Sequence, residues 1–155
     1  SMRLSLSPCR AALLAGAVLL GLSGCAPFSP ALSGEHVFEA ALEGRQEVPP
    51  VATAATGQAR LHYDSRSQVL DWSVSHSGVD GRVTAAHLHG PAGPGQVAAI
   101  VIPLSGNLDA PPIRGRLRIT PEQFEQLRSG QWYVDLHTRQ HPQGELRGQL
   151  RHSAD

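Results

Sequence analysis

The sequence predicts an all-β fold: an antiparallel Greek-key sandwich or barrel of about eight strands with one short helix. The chain has 155 residues, a length that fits one domain, and its 16 Gly and 12 Pro supply many turns. Beyond residue 36, apolar and polar side chains alternate with the period of two that places one face of a strand in a core. Only one segment has the spacing of a helix.

The alternation is clearest where Leu70, Trp72 and Val74 share one face of a predicted strand. The segment 97–104 is almost wholly apolar and lies between Pro- and Gly-containing stretches, which is typical of a central strand buried on both faces. The eight predicted strands are centred on residues 38–42, 59–63, 70–74, 82–89, 97–104, 113–119, 132–136 and 146–150.

The predicted helix begins after Thr120, which can act as its N-cap. Pro121 follows at the first helical position, and Gln123 completes a capping box. Gly130 can end the helix, so we expect about two and a half turns.

The N-terminal residues have the pattern of a lipoprotein signal peptide. Arg3 and Arg10 accompany an apolar run from Ala11 to Leu22, which is too short to span a bilayer. The following Leu-Ser-Gly-Cys resembles a bacterial lipobox, which implies cleavage before Cys25 and a lipid on its sulfur. An ordinary secretory leader is the alternative. We therefore expect a signal peptide over residues 1–24, a tether over 25–35 and a β-domain over 36–152, anchored to a membrane in the periplasm or at the cell surface.

Charge and cysteine content exclude several functions. The 13 basic and 13 acidic residues cancel, so nothing predicts a nucleic-acid partner. Cys9 and Cys25 both lie in or directly after the predicted leader, so the mature domain has no thiolate to bind metal or attack a substrate. The chain also lacks a P-loop, a Rossmann fingerprint, a calcium loop and a G-x-S-x-G elbow.

Histidine is the reactive residue that the sequence offers in quantity. His87 and His89 lie on one face of the fourth predicted strand, about 7 Å apart, so both rings can reach one ion. His137 ends the seventh strand on the face of Tyr133 and Asp135. A histidine pair of this kind suits copper or zinc.

A hairpin of the last two strands is expected to gather His137, Glu145 and Arg147 on one side, with His141 in the connecting turn. We therefore predict a metal site made of His87, His89 and His137, with His141 as the fourth ligand. The alternative is that these are ordinary solvated or hydrogen-bonded histidines at strand ends. The remaining histidines are not candidates: His62, His36 and His152 are expected at the surface, and His76 is ambiguous.

Three separated motifs resemble a chordin-type (CHRD) domain. They are FEAALEG with EVPP (38–44 and 47–50), AAHLHG (85–90), and YVDLHT with GELRGQL (133–138 and 144–150). The resemblance extends from about residue 36 to residue 151. It implies an all-β domain of a family found in animal chordin, an antagonist of secreted growth factors, and in many microbial secreted proteins. It does not by itself fix an activity.

The order His87, His89, His137, Arg147 is also similar, at a weaker level, to the copper-site motifs of copper/zinc superoxide dismutases. The zinc loop and the disulfide of those enzymes have no counterpart here. The resemblance implies a copper-only site in which Arg147 attracts an anionic substrate.

Three functions are therefore open. The first is a copper-binding module for storage, delivery or tolerance, the second a superoxide dismutase-like copper oxidoreductase, and the third a metal-free extracellular interaction domain. Copper is the expected cofactor, and the metal ion and the membrane are the expected partners. The sequence predicts neither a protein partner nor an oligomeric state.

The lipobox generates the first prediction. Cys25→Ser removes the sulfur that would carry the lipid, so the variant should leave the membrane fraction of its host and appear in the soluble periplasmic fraction. Fractionation followed by immunoblotting measures this. A variant that stays with the membrane, or a wild-type protein that is already soluble, would contradict the lipoprotein interpretation.

Overall fold

The computed structural model describes residues 34–153. The predicted signal peptide, Cys25 and most of the predicted tether lie outside the described residues. The described part contains the β-domain that the sequence predicts, with its first strand beginning at Glu35.

The domain is built from antiparallel strands and one short helix, which confirms the predicted fold class. The helix α1 covers Pro121–Arg128, and a 3₁₀ turn covers Gly44–Gln46. The strands are β1 (Glu35–Glu43), β2 (Thr56–Asp64), β3 (Val69–Ser77), β4 (Val83–His89), β5 (Ile100–Pro103), β6 (Ile113–Arg118), β7 (Tyr133–Thr138), β8 (Leu146–Gln149) and β9 (Arg151–His152).

The strands form one curled sheet in the order β5-β4-β7-β8-β1-β2-β3-β6, and β9 pairs with β1. Strands far apart in the chain therefore lie side by side, as β4 and β7 do. The concave face holds the core: Phe38, Leu61 and Leu136, among others, are fully buried there. Along each strand, residues of this face alternate with residues of the convex face. The alternation of apolar and polar residues in the sequence arises from this geometry.

Part of the convex face is covered by loops instead of solvent. Tyr133, Asp135, Arg147 and Gln149 alternate with core residues, yet all four are buried. The loop between β4 and β5 covers them, with Ala92, Gly93 and Ala98 providing backbone partners. Together with His87 and His89 on β4, these four residues form a covered patch of polar side chains, and this patch contains the candidate site.

The helix has the predicted ends. Thr120 Oγ1 accepts a hydrogen bond from the Gln123 backbone N–H, and the Gln123 side chain accepts one from the Thr120 N–H. Gly130 has the positive φ of 74° that a helix terminus favours in glycine. In the described part of the chain, no helix has the length and apolar character needed to cross a bilayer.

Two sequence-based expectations were wrong. Segment 97–104 forms a strand only over Ile100–Pro103, at an edge of the sheet and paired with β4 alone, with Val97 70% exposed. An apolar segment does not determine whether its strand pairs with one neighbouring strand or with two. His36 is buried, because β9 pairs with β1 and brings His152 Nε2 to 3.2 Å from His36 Nδ1.

The close packing of β8 against β1 generates the second prediction. An added Cβ at Gly148 would lie 2.5 Å from the Ala41 carbonyl oxygen, so Gly148→Ala must separate the two strands. We expect a loss of roughly 1–3 kcal/mol in the free energy of unfolding, measured by urea denaturation. Gly93→Ala is the matched control, since its Cβ would meet nothing closer than 3.7 Å. Equal stability of the two variants would contradict this packing.

Candidate metal centre

Four side chains on the covered patch converge on one point. His87 and His89 come from β4, and Asp135 and His137 come from β7. The pairing of His87 with Asp135 in the antiparallel register aligns the two strands, and the spacing of two keeps all four side chains on one face. One donor atom from each residue lies within 4.8 Å of the others, so this group could hold a metal ion.

Backbone carbonyls orient two of the three imidazoles. His89 Nδ1 lies 2.9 Å from the Ala98 carbonyl oxygen, and His137 Nδ1 lies 2.9 Å from that of Pro142. A carbonyl only accepts, so each Nδ1 donates its proton and each Nε2 is left to face the centre. This arrangement of a histidine held through its second nitrogen is common among metal ligands.

Asp135 lies between the three rings. Its Oδ2 is 2.8 Å from His137 Nε2 and 3.0 Å from His89 Nε2, and its Oδ1 is 3.2 Å from His87 Nδ1. His89 Nε2 is buried and, despite this proximity, has no hydrogen-bond partner of suitable geometry. A lone pair on nitrogen that faces a carboxylate oxygen requires a cation between them, either a proton or a metal ion. The donor set therefore fits a bound cation.

The pKa values reflect this arrangement. Burial opposes the charge of Asp135, but the hydrogen bond from His137, the close contact with His89 and the positive charges of these two rings hold the pKa of its carboxyl far below the usual range. The hydrogen bond to Asp135 raises the pKa of His137 to about 9, although burial opposes it. Burial lowers the pKa of His87, whereas the pKa of His89 is raised because Asp135 outweighs its burial.

Two residues of the centre were not among the sequence-based candidates. Asp135 was noted on the face of His137 but was not proposed as a ligand, although the D-x-H spacing is the same signal as H-x-H. Glu47 is buried near the centre, and burial, followed by the charge of Asp135, raises its pKa to about 7. Its position in the EVPP motif gave no indication of this, since the loop places it through tertiary contacts alone.

Arg147 is close to the centre but already engaged. Its guanidinium carbon lies 3.6 Å from the centroid of the Tyr133 ring, which in turn stacks on His89 at 4.7 Å. It donates hydrogen bonds to the Gly93 carbonyl and Gln149 Oε1 and is only 2% exposed. Arg147 thus helps to hold the covered patch together, and its predicted attraction of an anion stays a prediction.

The hairpin of β7 and β8 gathers part of the expected set. His141 is not in the four-residue group; its Nε2 lies 3.8 Å from Asp80 Oδ2. Glu145 is fully buried, where it accepts hydrogen bonds from Thr53, Thr138 and the Asp80 backbone. Glu145 therefore ties loops to the hairpin and does not join His137, and the role of His141 as a fourth ligand stays a prediction.

Fold and site together define a β-domain that carries a histidine–carboxylate group able to bind a cation on a loop-covered sheet face. The chain belongs to the CHRD domain family, whose model matches residues 38–150. No curated protein and no solved structure matches the chain. The likeness to copper/zinc superoxide dismutases is not shown by these comparisons.

The ion pair of His137 with Asp135 generates the third prediction. A histidine whose pKa is higher in the folded than in the unfolded state stabilises the fold when it is protonated. The contribution of His137 is therefore fully present below its unfolded pKa of 6.5 and is lost as the pH rises through its folded pKa of about 9. With metal removed by a chelator, the free energy of unfolding should fall on the order of 2 kcal/mol between roughly pH 7 and 9.5. Urea denaturation at each pH measures this.

His137→Gln removes the titrating group, so this variant should lose most of the slope in that window. His62→Gln is the control, because His62 lies on β2, outside the metal centre, and its partly exposed side chain places Nε2 3.4 Å from Glu35 Oε2. A slope that survives in His137→Gln, or disappears in His62→Gln, would assign the pH dependence to another group.

Proposed function

We propose that this protein is a lipid-anchored, extracytoplasmic CHRD-domain protein that binds copper for storage, delivery or tolerance. The observation that carries the proposal is the group of His87, His89, Asp135 and His137, whose donor atoms lie within 4.8 Å of one another. Carbonyl oxygens hold two of these imidazoles with Nε2 directed inward, which prepares them for a metal.

The chemistry of the donors favours a first-row transition metal. Imidazole nitrogen suits copper and zinc, and copper binds more tightly in the general affinity order of divalent ions. Calcium and magnesium prefer oxygen ligands, of which this group offers one carboxylate. Asp135 adds an oxygen donor to the three histidine nitrogens, whereas the sequence predicted histidine ligands alone. Because zinc binds both histidine and aspartate, zinc is the metal that competes with copper for this group.

The leader supports an extracytoplasmic location. Residues 1–24 have the pattern of a signal peptide and end at the lipobox-like Cys25, which would hold the domain at a membrane in the periplasm or at the cell surface. A domain without cysteine is also suited to an oxidising compartment, because it has no thiol to oxidise.

Storage or delivery is favoured over superoxide chemistry by the state of Arg147. The guanidinium of Arg147 is buried, lies over the Tyr133 ring and donates from Nη2 to Gly93 and Gln149, so it has little exposed surface for an incoming anion. A superoxide-scavenging assay of the copper-loaded protein separates the two functions.

The four-residue group generates the fourth prediction. His89→Ala and His137→Ala each remove one donor, and Asp135→Asn replaces the charged carboxylate with a neutral amide; each variant should weaken Cu(II) binding more than about 100-fold. The matched control is His62→Ala, since the partly exposed His62 lies outside the group, and this variant should bind Cu(II) within about twofold of wild type. His141→Ala distinguishes the observed group from the sequence-based set and should resemble the control. Isothermal calorimetry measures Cu(II) binding by the five variants and the wild-type protein.

Competition dialysis with equal Cu(II) and Zn(II) tests the choice of metal. We expect copper to be retained and to raise the melting temperature, because the unfolded chain cannot hold donors from two distant strands together. A clear preference for zinc would overturn the copper assignment. Failure of both ions to bind or to raise the melting temperature would favour the metal-free interaction domain.

A further inference from the structure

Glu47 is a buried carboxylate without a partner beside the candidate metal centre. The residue is 8% exposed, and its Oε1 has neither exposed surface nor a hydrogen bond among the described residues. Burying an oxygen of this kind costs free energy unless something donates to it. The other buried glutamate, Glu145, makes several hydrogen bonds, so the isolation of Glu47 is specific to its position.

The carboxylate of Glu47 packs against the backbone of Gly144. A Cβ at Gly144 would lie 2.6 Å from Glu47 Oε1, so a glycine is required where the loop between β7 and β8 passes it. Gly144 also has a φ of 124°, which side chains rarely adopt. Glu47 is close enough to interact electrostatically with Asp135, His137 and His89. Its carboxylate therefore faces the centre from an element that supplies none of the four ligands.

The four ligands leave one side of a bound ion open. All of them project from the same face of β4 and β7, so they surround an ion from the sheet side. The loop after β1 brings Glu47 beside Arg147, which pairs with Asp135 across β7 and β8. A cavity of about 420 Å³ next to the centre is lined by Glu47, Val48, Pro94, Arg147 and Gln149 among others. This space admits water and small molecules.

We propose that Glu47 is a positioning residue that accepts a hydrogen bond from a small protic oxygen ligand, in the first place water, bound to the metal on its open side. The inference rests on the proposed metal-binding function and deepens it, because it gives the site an exchangeable position. It explains why a carboxylate with an unpartnered oxygen is buried at this point of the fold. Glu47 itself is outside the four-residue group, so it acts on the metal through that ligand.

The test uses azide as a small anionic probe of the open position in the Cu(II)-loaded protein. Glu47→Gln preserves size but removes the negative charge and replaces one of the two acceptor oxygens with an NH2 group that only donates, which weakens the hold on the water that azide must displace. The variant should still bind Cu(II), about tenfold more weakly than wild type because a nearby negative charge is lost, but without the loss of more than about 100-fold expected when a protein ligand is removed. Its azide affinity, from visible absorption and electron paramagnetic resonance titrations, should rise about tenfold, as expected for removal of one negative charge several ångströms away.

Glu39→Gln is the matched control, because Glu39 is exposed on β1 and pairs with Arg60. Glu47→Asp, which keeps the charge, should have an azide affinity near that of wild type, and it supplies the comparison if Glu47→Gln unfolds. An azide affinity of Glu47→Gln equal to that of Glu39→Gln overturns this inference and leaves the copper site intact. The inference is also overturned if Glu47→Asp, which keeps the charge, binds azide about tenfold more tightly than wild type.

Two further outcomes are distinct. If Glu47→Gln loses Cu(II) as completely as His137→Ala, Glu47 is itself a ligand and the outer-sphere role is wrong. If the wild-type protein takes up no Cu(II) at all, the proposed function fails, and the inference that rests on it fails as well.

Discussion

The structure of this site depends on one buried carboxylate. Asp135 is held between His87, His89 and His137 with each of its oxygens within 3.2 Å of an imidazole nitrogen. A buried negative charge is costly unless positive charge compensates it, and three rings with converging nitrogens are the compensation present. Without a metal, the proton on His137 supplies that charge, and this is why the pKa of His137 rises to about 9. A divalent ion at the same point would satisfy all four side chains together.

The scaffold around Asp135 holds these groups in position. Pairing of β4 with β7 sets the distance between the ligand strands, and the carbonyls of Ala98 and Pro142 fix two of the rings. The Tyr133 ring stacks on His89, and the guanidinium of Arg147 lies over the same Tyr133 ring, so these three side chains pack against one another. Ligands that are held by their own partners lose little freedom on binding, which favours tight and selective coordination.

The motifs that indicate the CHRD family surround this one centre. AAHLHG contains His87 and His89, YVDLHT contains Asp135 and His137, GELRGQL contributes Gly144 and Arg147, and EVPP contributes Glu47. The histidines could be identified from the sequence because spacing along a single strand fixes which side chains share a face. Asp135 follows the same rule, because the D-x-H spacing places its carboxylate on the same face of β7 as His137. Glu47 and His141 could not be placed, since both lie in loops whose course no local periodicity encodes.

The sequence alone determined the all-β class, the capped helix from Pro121 and the two histidine-bearing strand ends, because alternation and capping are local properties of a few consecutive residues. The tertiary structure decided the rest. It placed β5 at an edge, buried His36 against His152, brought β4 beside β7 across about fifty residues of chain, and turned Glu47 towards the centre while His141 faced Asp80. The physical reason is that neighbours across a sheet and beneath a loop are selected by the packing of the whole domain, which no short stretch of residues specifies.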